Sequence, residues 1–395
     1  MPQFSRVILR RSKEDAVKRF HPWIFSGAIK QAEAQDGDIV EVYSDSGEHL
    51  ATGLYHDSNI AVKILAFHPV TNLDELFANR IQQAVQVRSQ LGLTGSETTN
   101  CYRLINAEGD NLPGLIVDWY NGTAVIQAYS VGMYGQRQRI LAGLQAVYGE
   151  SLRAVYDKSA SVLPRSLGAT PEYLLGEKTD EPVREYGHHF QVDWETGQKT
   201  GFFLDQREHR QLLTRYASGK QVLNTFSYSG GFSVYALQAG ATTVHSVDSS
   251  TKAIDLTKQN VALNPLQTGT PEGTHEAFTD DVFVFLKTCD RQYDVIVLDP
   301  PAFAKNVSAR HQAVMAYKRL NLQAFNRLRS GGVLMTFSCS QVVQRDHFQG
   351  AVLAAAIESG RSVRILHHLT QPADHPVNLF HPEGLYLKGL VLWVE

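Results

Sequence analysis

The hydrophobic pattern changes character twice along the chain. Up to about residue 68 the apolar runs are short: Val7-Ile8-Leu9, Ile39–Tyr43, Leu50–Tyr55 and Ile60–Leu65. Turns at Ser26-Gly27, Asp36-Gly37-Asp38 and Ser46-Gly47 separate them. Short strands spaced by such turns predict a compact β-barrel. After a linker at His68-Pro69-Val70-Thr71, residues Asp74 to Gln90 place Leu76, Phe77, Ile81, Ala84, Val85 and Val87 at helical spacing. That is an amphipathic helix. Strands follow at Tyr102–Ala107, Leu115–Tyr120 and Ala124–Tyr129, then a helix marked by Ile140, Leu141, Leu144 and Val147, and a strand at Leu152–Tyr156. This stretch reads as a small α+β unit. Residues 164–182 are polar and turn-rich and read as a connection.

From Val183 onward strands and helices alternate. A strand at Val183–Asp193 leads through a turn at Trp194–Gly197 to the cofactor-type stretch from Val222 to Asp248. Helices are predicted at Phe232–Gln238, Lys252–Asn264, Val282–Thr288, Leu320–Leu328 and His347–Ile357. The strands between them, Tyr293–Leu298 and Val333–Phe337 above all, are continuously apolar, and Val363–His367 with Leu385–Val394 reads as a closing pair. Buried strands alternating with helices predict a parallel, doubly wound sheet. Ligands in such sheets bind outside the carboxyl ends of the strands.

Candidate chemistry collects at those ends. Val222 to Asp248 is a strand, a turn (Phe226-Ser227-Tyr228-Ser229-Gly230-Gly231), a helix, and a strand closing on a carboxylate. This is the cofactor half of a Rossmann-like fold. The turn lacks the third glycine of a dinucleotide fingerprint, which suits a cofactor without phosphates, such as S-adenosylmethionine (SAM). A bare strand-to-helix turn is the alternative. The glycines are expected to let a cofactor lie against the backbone, with Asp248 at the ribose. Asp280 or Asp281 would meet the adenine amino group or cap the next helix. Asp299-Pro300-Pro301-Ala302-Phe303 forms a rigid turn, because each proline fixes its own φ and restricts its predecessor. Cys339 lies between two serines after the following strand. A thiolate adding to cytosine C6 makes C5 reactive, which gives a cysteine here a chemical use. A nearby helix N-terminus would help to lower its pKa.

Upstream, Lys199, Phe202, Phe203, Arg207 and Arg210 read either as a lid over cofactor or nucleic acid, or as a helix start with Asp205 as cap and the basic side chains solvated. Arg103, Asp110 and Asp118 would face a substrate or form surface ion pairs. The basic run Arg10, Arg11, Lys13, Lys18 and Arg19, interleaved with Phe20, Trp23 and Phe25, is either a phosphate-and-base surface or a solvated loop beside a core tryptophan.

Composition narrows the partners. A chain of 395 residues predicts two or three domains, and 43% hydrophobic with 19% charged residues is globular. A net charge of -3 announces no global affinity for polyanions, so an RNA site would be a local patch. Three cysteines, Cys101, Cys289 and Cys339, have no metal spacing and form no disulfide framework. With no secretory core at the N-terminus and no run of about 18 apolar residues, a cytoplasmic protein without a metal or membrane partner is expected.

Longer motifs then carry a resemblance over essentially the whole chain. They are Phe20-His21-Pro22-Trp23-Ile24-Phe25-Ser26-Gly27, Glu108-Gly109-Asp110-Asn111-Leu112-Pro113-Gly114-Leu115, and Thr200-Gly201-Phe202-Phe203-Leu204-Asp205-Gln206-Arg207. Phe226–Phe232, Asp299–Phe303, Thr336–Ser340, Asp374-His375-Pro376 and Pro382–Gly389 complete them. The chain resembles the RlmI-type 23S ribosomal RNA cytosine-C5 methyltransferases. The resemblance implies a multidomain α/β protein: a PUA-like RNA-binding barrel (residues 1–70), a central α+β domain with its connection (71–182), and a Rossmann-like class I SAM methyltransferase domain (183–395). It implies Cys339 as nucleophile, Asp299 on the target cytosine, and SAM in the cradle of Phe226, Ser227, Tyr228, Gly230, Gly231, Asp248, Ser249, Asp280, Asp281 and Asp299. Pro300, Pro301, Phe303, Lys199 and Arg207 would meet the substrate, 23S ribosomal RNA or a ribosome assembly intermediate, and a homodimer is compatible. Many RNA cytosine-C5 methyltransferases place a second cysteine just after the Pro-Pro pair. Here Ala302 stands there, so the acceptor of the C5 proton has no assignment. An amino-group methyltransferase, a non-catalytic RNA-binding assembly factor and a nicotinamide enzyme are the competing readings.

Overall fold

The structure, a computed structural model, describes residues 4–266, 273–304 and 306–395. The chain divides into two compact units: Met1–Val183, Val192–Leu204 and Ala373–Gly384 in the first, and Arg184–Gln191, Asp205–Pro372 and Leu385–Glu395 in the second.

The first unit opens with β1 (Ser5–Leu9), α1 (Asp15–Lys18), β2 (Trp23–Phe25), β3 (Ile29–Ala32), β4 (Ile39–Tyr43), β5 (His49–Tyr55) and β6 (Ile60–Ala66). They form one six-stranded sheet in the order β2-β6-β5-β4-β1-β3, with β1 parallel to β4. The long helix α2 (Leu73–Gln90) starts where the Asn72 side chain accepts a hydrogen bond from the Glu75 N–H. Behind it lies a second sheet, β11-β10-β9-β8-β7, built from β7 (Cys101–Asn106), β8 (Leu115–Tyr120), β9 (Thr123–Ala128), β10 (Ala154–Asp157) and β11 (Glu172–Leu175). Between β9 and β10 run α3 (Val131–Tyr134) and α4 (Arg137–Tyr148). Strand β11 falls in the stretch expected to be a connection. As an edge strand it buries none of its residues fully, so it carries no clean alternation. One core joins both sheets: Leu54 and Leu65 from the first pack with Phe77, Ile81, Tyr102, Ile126 and Leu144. Gly143 lets α2 and α4 meet, since a Cβ there would lie 2.5 Å from Ile81 Cδ1.

Buried charge holds this unit together. Arg88, on the inner face of α2, makes a two-pronged ion pair with Asp110 (Nη1–Oδ1 2.5 Å, Nη2–Oδ2 2.9 Å). Its remaining N–H groups donate to the carbonyls of Arg103, Asp374 and Ala84. Asp118, fully buried, accepts from Arg103 Nε at 2.5 Å and from the Thr200 hydroxyl. So Asp110 and Asp118 are buried and Arg103 half-buried, and their ion pairs belong to the interior rather than the surface. The segment 373–384 threads into the same network. The Asp374 carboxylate accepts from the Arg103 N–H, and Asn106 Nδ2 donates to the Pro376 carbonyl. A Cβ on Gly109 would lie 2.0 Å from that carbonyl oxygen, so the Glu108–Gly114 turn admits only glycine there. Trp23 Nε1 donates to Glu108 Oε1, which ties the first sheet to the same turn.

The second unit carries the hairpin β12 (Val183–Glu185) and β13 (His188–Phe190), with only Val183 counted in the first unit. One long strand was expected here; the chain turns instead at Tyr186-Gly187, both at positive φ. Then come α5 (Arg207–Ala217), β14 (Gln221–Thr225), α6 (Gly231–Gln238), β15 (Thr243–Asp248), α7 (Thr251–Ala262), β16 (Thr274–Thr279), α8 (Val282–Thr288), β17 (Tyr293–Leu298), α9 (Arg310–Arg327), β18 (Leu328–Ser338), α10 (Arg345–Ser359), β19 (Val363–Leu369) and β20 (Lys388–Val394). The sheet order is β16-β15-β14-β17-β18-β20-β19, parallel except for β20. Successive strand residues alternate between two cores. Val222, Val295, Val297 and Val333 face α5 and α6, while Leu223, Ile296, Leu298 and Leu334 face α8, α9 and α10. That alternation is the doubly wound arrangement, and it explains why both faces read as apolar.

Candidate active site

Register aligns the strand ends. Phe278, Val247, Thr225, Leu298 and Thr336 form one row across the five parallel strands. Asp280, Asp248, Phe226, Asp299 and Cys339 lie one to three residues beyond it, on five neighbouring columns about 4.8 Å apart. The order reverses between β14 and β17, which is where a doubly wound sheet opens a crevice. Asp248 and Asp299 flank that opening, and Cys339 follows Asp299 by one column.

The turn after β14 is held at both ends. Phe226 and Tyr228 adopt left-handed φ of 52° and 45°, conformations that cost energy for side chains this large. Helix α7 supports them: Thr257 Oγ1 donates to the Tyr228 carbonyl and Asn260 Nδ2 to the Ser229 carbonyl. The Ser227 N–H donates to the Val247 carbonyl. Packing within the protein accounts for the two glycines. At Gly230, with φ of 75°, a Cβ would lie 2.7 Å from Thr257 Cγ2; at Gly231 it would lie 2.8 Å from Arg210 Cδ. A side chain at either position would therefore run into α7 or α5.

Asp248 fits a ribose. It is half-buried, its Oδ2 accepts from the Tyr228 N–H at 3.0 Å, and its Oδ1 accepts from the Ser250 N–H at 2.9 Å. Each oxygen keeps a lone pair, so this fixed carboxylate has capacity for two hydroxyls. Ser249 beside it is exposed. The Asp280 N–H donates to the Asp248 carbonyl, which brings the β16 end alongside. Asp281 caps α8, accepting from the Val284 N–H, and Asp280 Oδ1 accepts from the Asp281 N–H.

On the other side, Asp299 is half-buried, Pro300 buried, and Pro301 and Ala302 exposed. The Phe303 ring lies 4.7 Å from that of Tyr317 on α9. The Ser340 hydroxyl donates to the Ala304 carbonyl, joining this turn to the Cys339 segment. Tyr317 accepts from the Ser338 hydroxyl, and burial pushes its phenol pKa up, so it stays neutral. Helix α10 starts only at Arg345, six residues past Cys339. The cation at the cysteine turn is Lys388, the first residue of β20, whose Nζ donates to the Ser340 carbonyl at 2.5 Å. The sequence reading gave Lys388 no role. Its signal was available: one lysine heading the otherwise uncharged strand KGLVLWV.

The segment from Lys199 to Arg210 divides between the units after Leu204. Lys199 is exposed, with Nζ 4.5 Å from the centre of the Phe203 ring. Arg207 and Arg210 are both buried, so these arginines are not solvated. Arg210 pairs with the Glu185 carboxylate through two bonds of 2.7 Å, which anchors the β12–β13 hairpin to α5. Asp205 does not cap α5; it accepts from the Tyr386 hydroxyl, and Gln206 holds the cap position.

His209, 3% exposed and 5.0 Å from the Phe337 ring, is pushed by burial down to about 4. Burial also lowers His275 to about 4. Below pH 6.5 the unfolded chain takes up protons that these imidazoles refuse until pH 4. Stability is therefore complete above pH 6.5 and falls as pH drops through that window. His209 alone contributes up to ~1.4 kcal/mol per pH unit, about 3 kcal/mol in all. Urea unfolding at pH 7, 6 and 5 should show the loss, with a flatter profile in His209→Gln. Equal slopes in the two proteins would refute it.

A seven-stranded sheet of this order, with a fixed carboxylate after its second strand and no pyrophosphate fingerprint, defines the class: a Rossmann-like SAM methyltransferase domain. Residues 109–383 match the S-adenosylmethionine-dependent methyltransferase family, and residues 7–67 match the PUA-like domain family. The chain is 41% identical to ribosomal RNA large subunit methyltransferase I of Escherichia coli, over 97% of this chain and 98% of that one. It is 40% identical to the protein of that name from Shigella boydii, with the same coverage. Among solved structures, a protein from Streptococcus mutans assigned as a SAM-dependent methyltransferase superposes with a TM-score of 0.83 at 25% identity, over 98% of this chain and 99% of that one. Another methyltransferase-assigned structure, complexed with SAH, gives 0.84 at 26%, with the same coverage. The chain belongs to the family of the ribosomal RNA large subunit methyltransferases I, and its cofactor is SAM. Among the described residues no helix is long and apolar enough to cross a membrane.

Proposed function

We propose that this protein methylates C5 of cytosine in large-subunit ribosomal RNA, in the cytoplasm. Residues 1–70 serve as the RNA-binding barrel, 71–182 as the central domain and 183–395 as the catalytic domain. The observation that carries this reading is Cys339 on the strand column next to Asp299, one reversal away from the Asp248 cradle. An enzyme that methylates an amino group has no use for a thiol there.

In this reading Asp248 and Ser249 hold the ribose of SAM, Asp280 and Asp281 approach its adenine, and the Phe226–Gly231 backbone lines its path. SAM supplies an electrophilic methyl group. The Cys339 thiolate forms a bond to C6 of cytosine, and the displaced ring electrons make C5 nucleophilic. Once C5 is methylated, its proton passes to a base. The C5–C6 double bond reforms and the S–C6 bond breaks, returning the thiolate. Asp299 meets the amino edge of the base, and Pro300, Pro301 and Phe303 form the wall it rests on. Lys199 and Arg207 are substrate-side residues in the same reading, and a paired target would be flipped out to reach the sulfur.

The test is incubation with unmodified large-subunit RNA and SAM, followed by mass analysis of the nucleosides. 5-Methylcytidine is the expected product. Methylation on the exocyclic nitrogen alone would instead assign the Asp299-Pro300-Pro301 turn to an amine. RNA binding without any methylated product would indicate an assembly factor.

A further inference from the structure

We propose that Lys388 keeps Cys339 as a thiolate, its ammonium standing as the counter-charge both when the sulfur adds to the base and when it leaves. The inference rests on the cytosine-C5 reading and concerns a positioning residue, since Lys388 acts through Cys339.

Three observations converge. The first is placement. Lys388 opens β20, opposite Ser338 in the antiparallel ladder, and its Nζ is tied at 2.5 Å to the carbonyl of Ser340, the residue after the cysteine. The ammonium is thus fixed at the Cys339 turn by main-chain geometry from both sides.

The second is burial without a carboxylate. Lys388 is 6% exposed, and among the described residues it forms no ion pair with an aspartate or glutamate. A buried ammonium is costly unless an anion accompanies it. The acidic group that acts on its charge is Cys339.

The third is the remaining surroundings. Burial pushes Lys388 down to about 8, the Cys339 charge opposes that shift, and the Arg345 guanidinium at the head of α10 adds to it. Tyr317, facing from α9, is held neutral by burial, and Asp299 acts on the same phenol from the end of β17. The charged groups that act at this turn are thus Arg345 on Lys388 and Asp299 on Tyr317, with Cys339 acting on both. The Cys339 thiol gives its proton to water, and the ammonium beside it stabilises the thiolate that remains. When the S–C6 bond breaks, the same ammonium stabilises the departing thiolate.

Iodoacetamide alkylation of Cys339, followed by peptide mass analysis across pH 5.5 to 10, reads the thiolate directly and needs no RNA. The wild-type midpoint is expected at least one pH unit below the ordinary thiol value of about 8.5. Lys388→Met should raise that midpoint by about one unit or more, and Lys388→Arg should keep it low. The acid limb of the methylation rate should move with the midpoint, with about a tenfold loss at pH 7 recovered near pH 9 in the Met variant. A structural role for Lys388 would lower activity without moving either pH profile. If Lys388→Met does not fold, Lys388→Gln carries the same expectation. A wild-type midpoint at or above 8.5 overturns the proposal with no variant at all. A shifted alkylation midpoint in a protein that forms no 5-methylcytidine would uphold the Lys388–Cys339 pairing and overturn the cytosine-C5 reading. Formation of 5-methylcytidine with equal midpoints in wild type and Lys388→Met would do the reverse.

Discussion

Cys339→Ala should abolish methyl transfer, lowering turnover by about 10⁴-fold or more, while SAM still binds with nearly wild-type affinity. The two halves of this expectation come from different strand columns. The cradle after β14 is built by Thr257, Asn260 and the Asp248 carboxylate, none of which depends on the cysteine. Cys339 lies past β18, half-buried between two buried serines, and loss of its sulfur leaves the Ser340–Ala304 and Ser338–Tyr317 hydrogen bonds available. Calorimetric titration with SAM checks the first half, and a radiolabelled methyl assay on ribosomal RNA the second. Retention of 5-methylcytidine formation by the alanine variant would rule out the covalent route. Cys339→Ser is expected to be as inactive, because a hydroxyl at neutral pH is far less ionised than a thiol.

Asp110→Ala should destabilise the first unit by about 3–5 kcal/mol, the largest stability effect expected of any single change in it. Arg88 is completely buried, so removing its carboxylate leaves a guanidinium with neither water nor an anion. The loss extends beyond the pair. Asp110 Oδ2 also accepts the Asn106 N–H, and Arg88 holds the carbonyls of Arg103 and Asp374. Arg88→Ala should cost as much, leaving the carboxylate stranded. The double variant Arg88→Met/Asp110→Leu should recover a large part, because an apolar pair of similar volume carries no desolvation penalty. Urea unfolding followed by fluorescence measures all three. A single variant within 1 kcal/mol of wild type, or a double variant worse than both singles, would show that the pair is solvated or that its shape matters more than its charge.

Legibility in the sequence followed the range of the interactions involved. Periodicity reports what one segment presents to its own core, so the alternation of β and α after residue 205 was readable. Strands such as Tyr293–Leu298, buried on both faces, announced a parallel sheet and fixed which loops share an edge. The missing third glycine alone argues against a dinucleotide in this cradle. Helix α8 starts at Val282 as its pattern predicts, but α2 starts one residue early, after its Asn72 cap, and α9 ten residues early, at Arg310, ending before Leu328 opens β18.

By itself, then, the sequence determined the order of the elements, the sheet edge where chemistry collects, and the residues offered there: Asp248, Asp299 and Cys339. Only the tertiary structure decided what those residues meet. It placed Thr257 and Arg210 against the two cradle glycines, turned Arg103, Asp110 and Asp118 into interior ion pairs, and set Lys388 on the carbonyl of Ser340, next in sequence to the cysteine. It also assigned residues 373–384 to the first unit, where Asp374 meets an arginine 286 positions earlier in the chain. The physical reason is common to all of these. Hydrophobic spacing is fixed by the pitch of one helix or strand, whereas the partner of a buried charge or the neighbour of a glycine is chosen by chain packing across hundreds of residues.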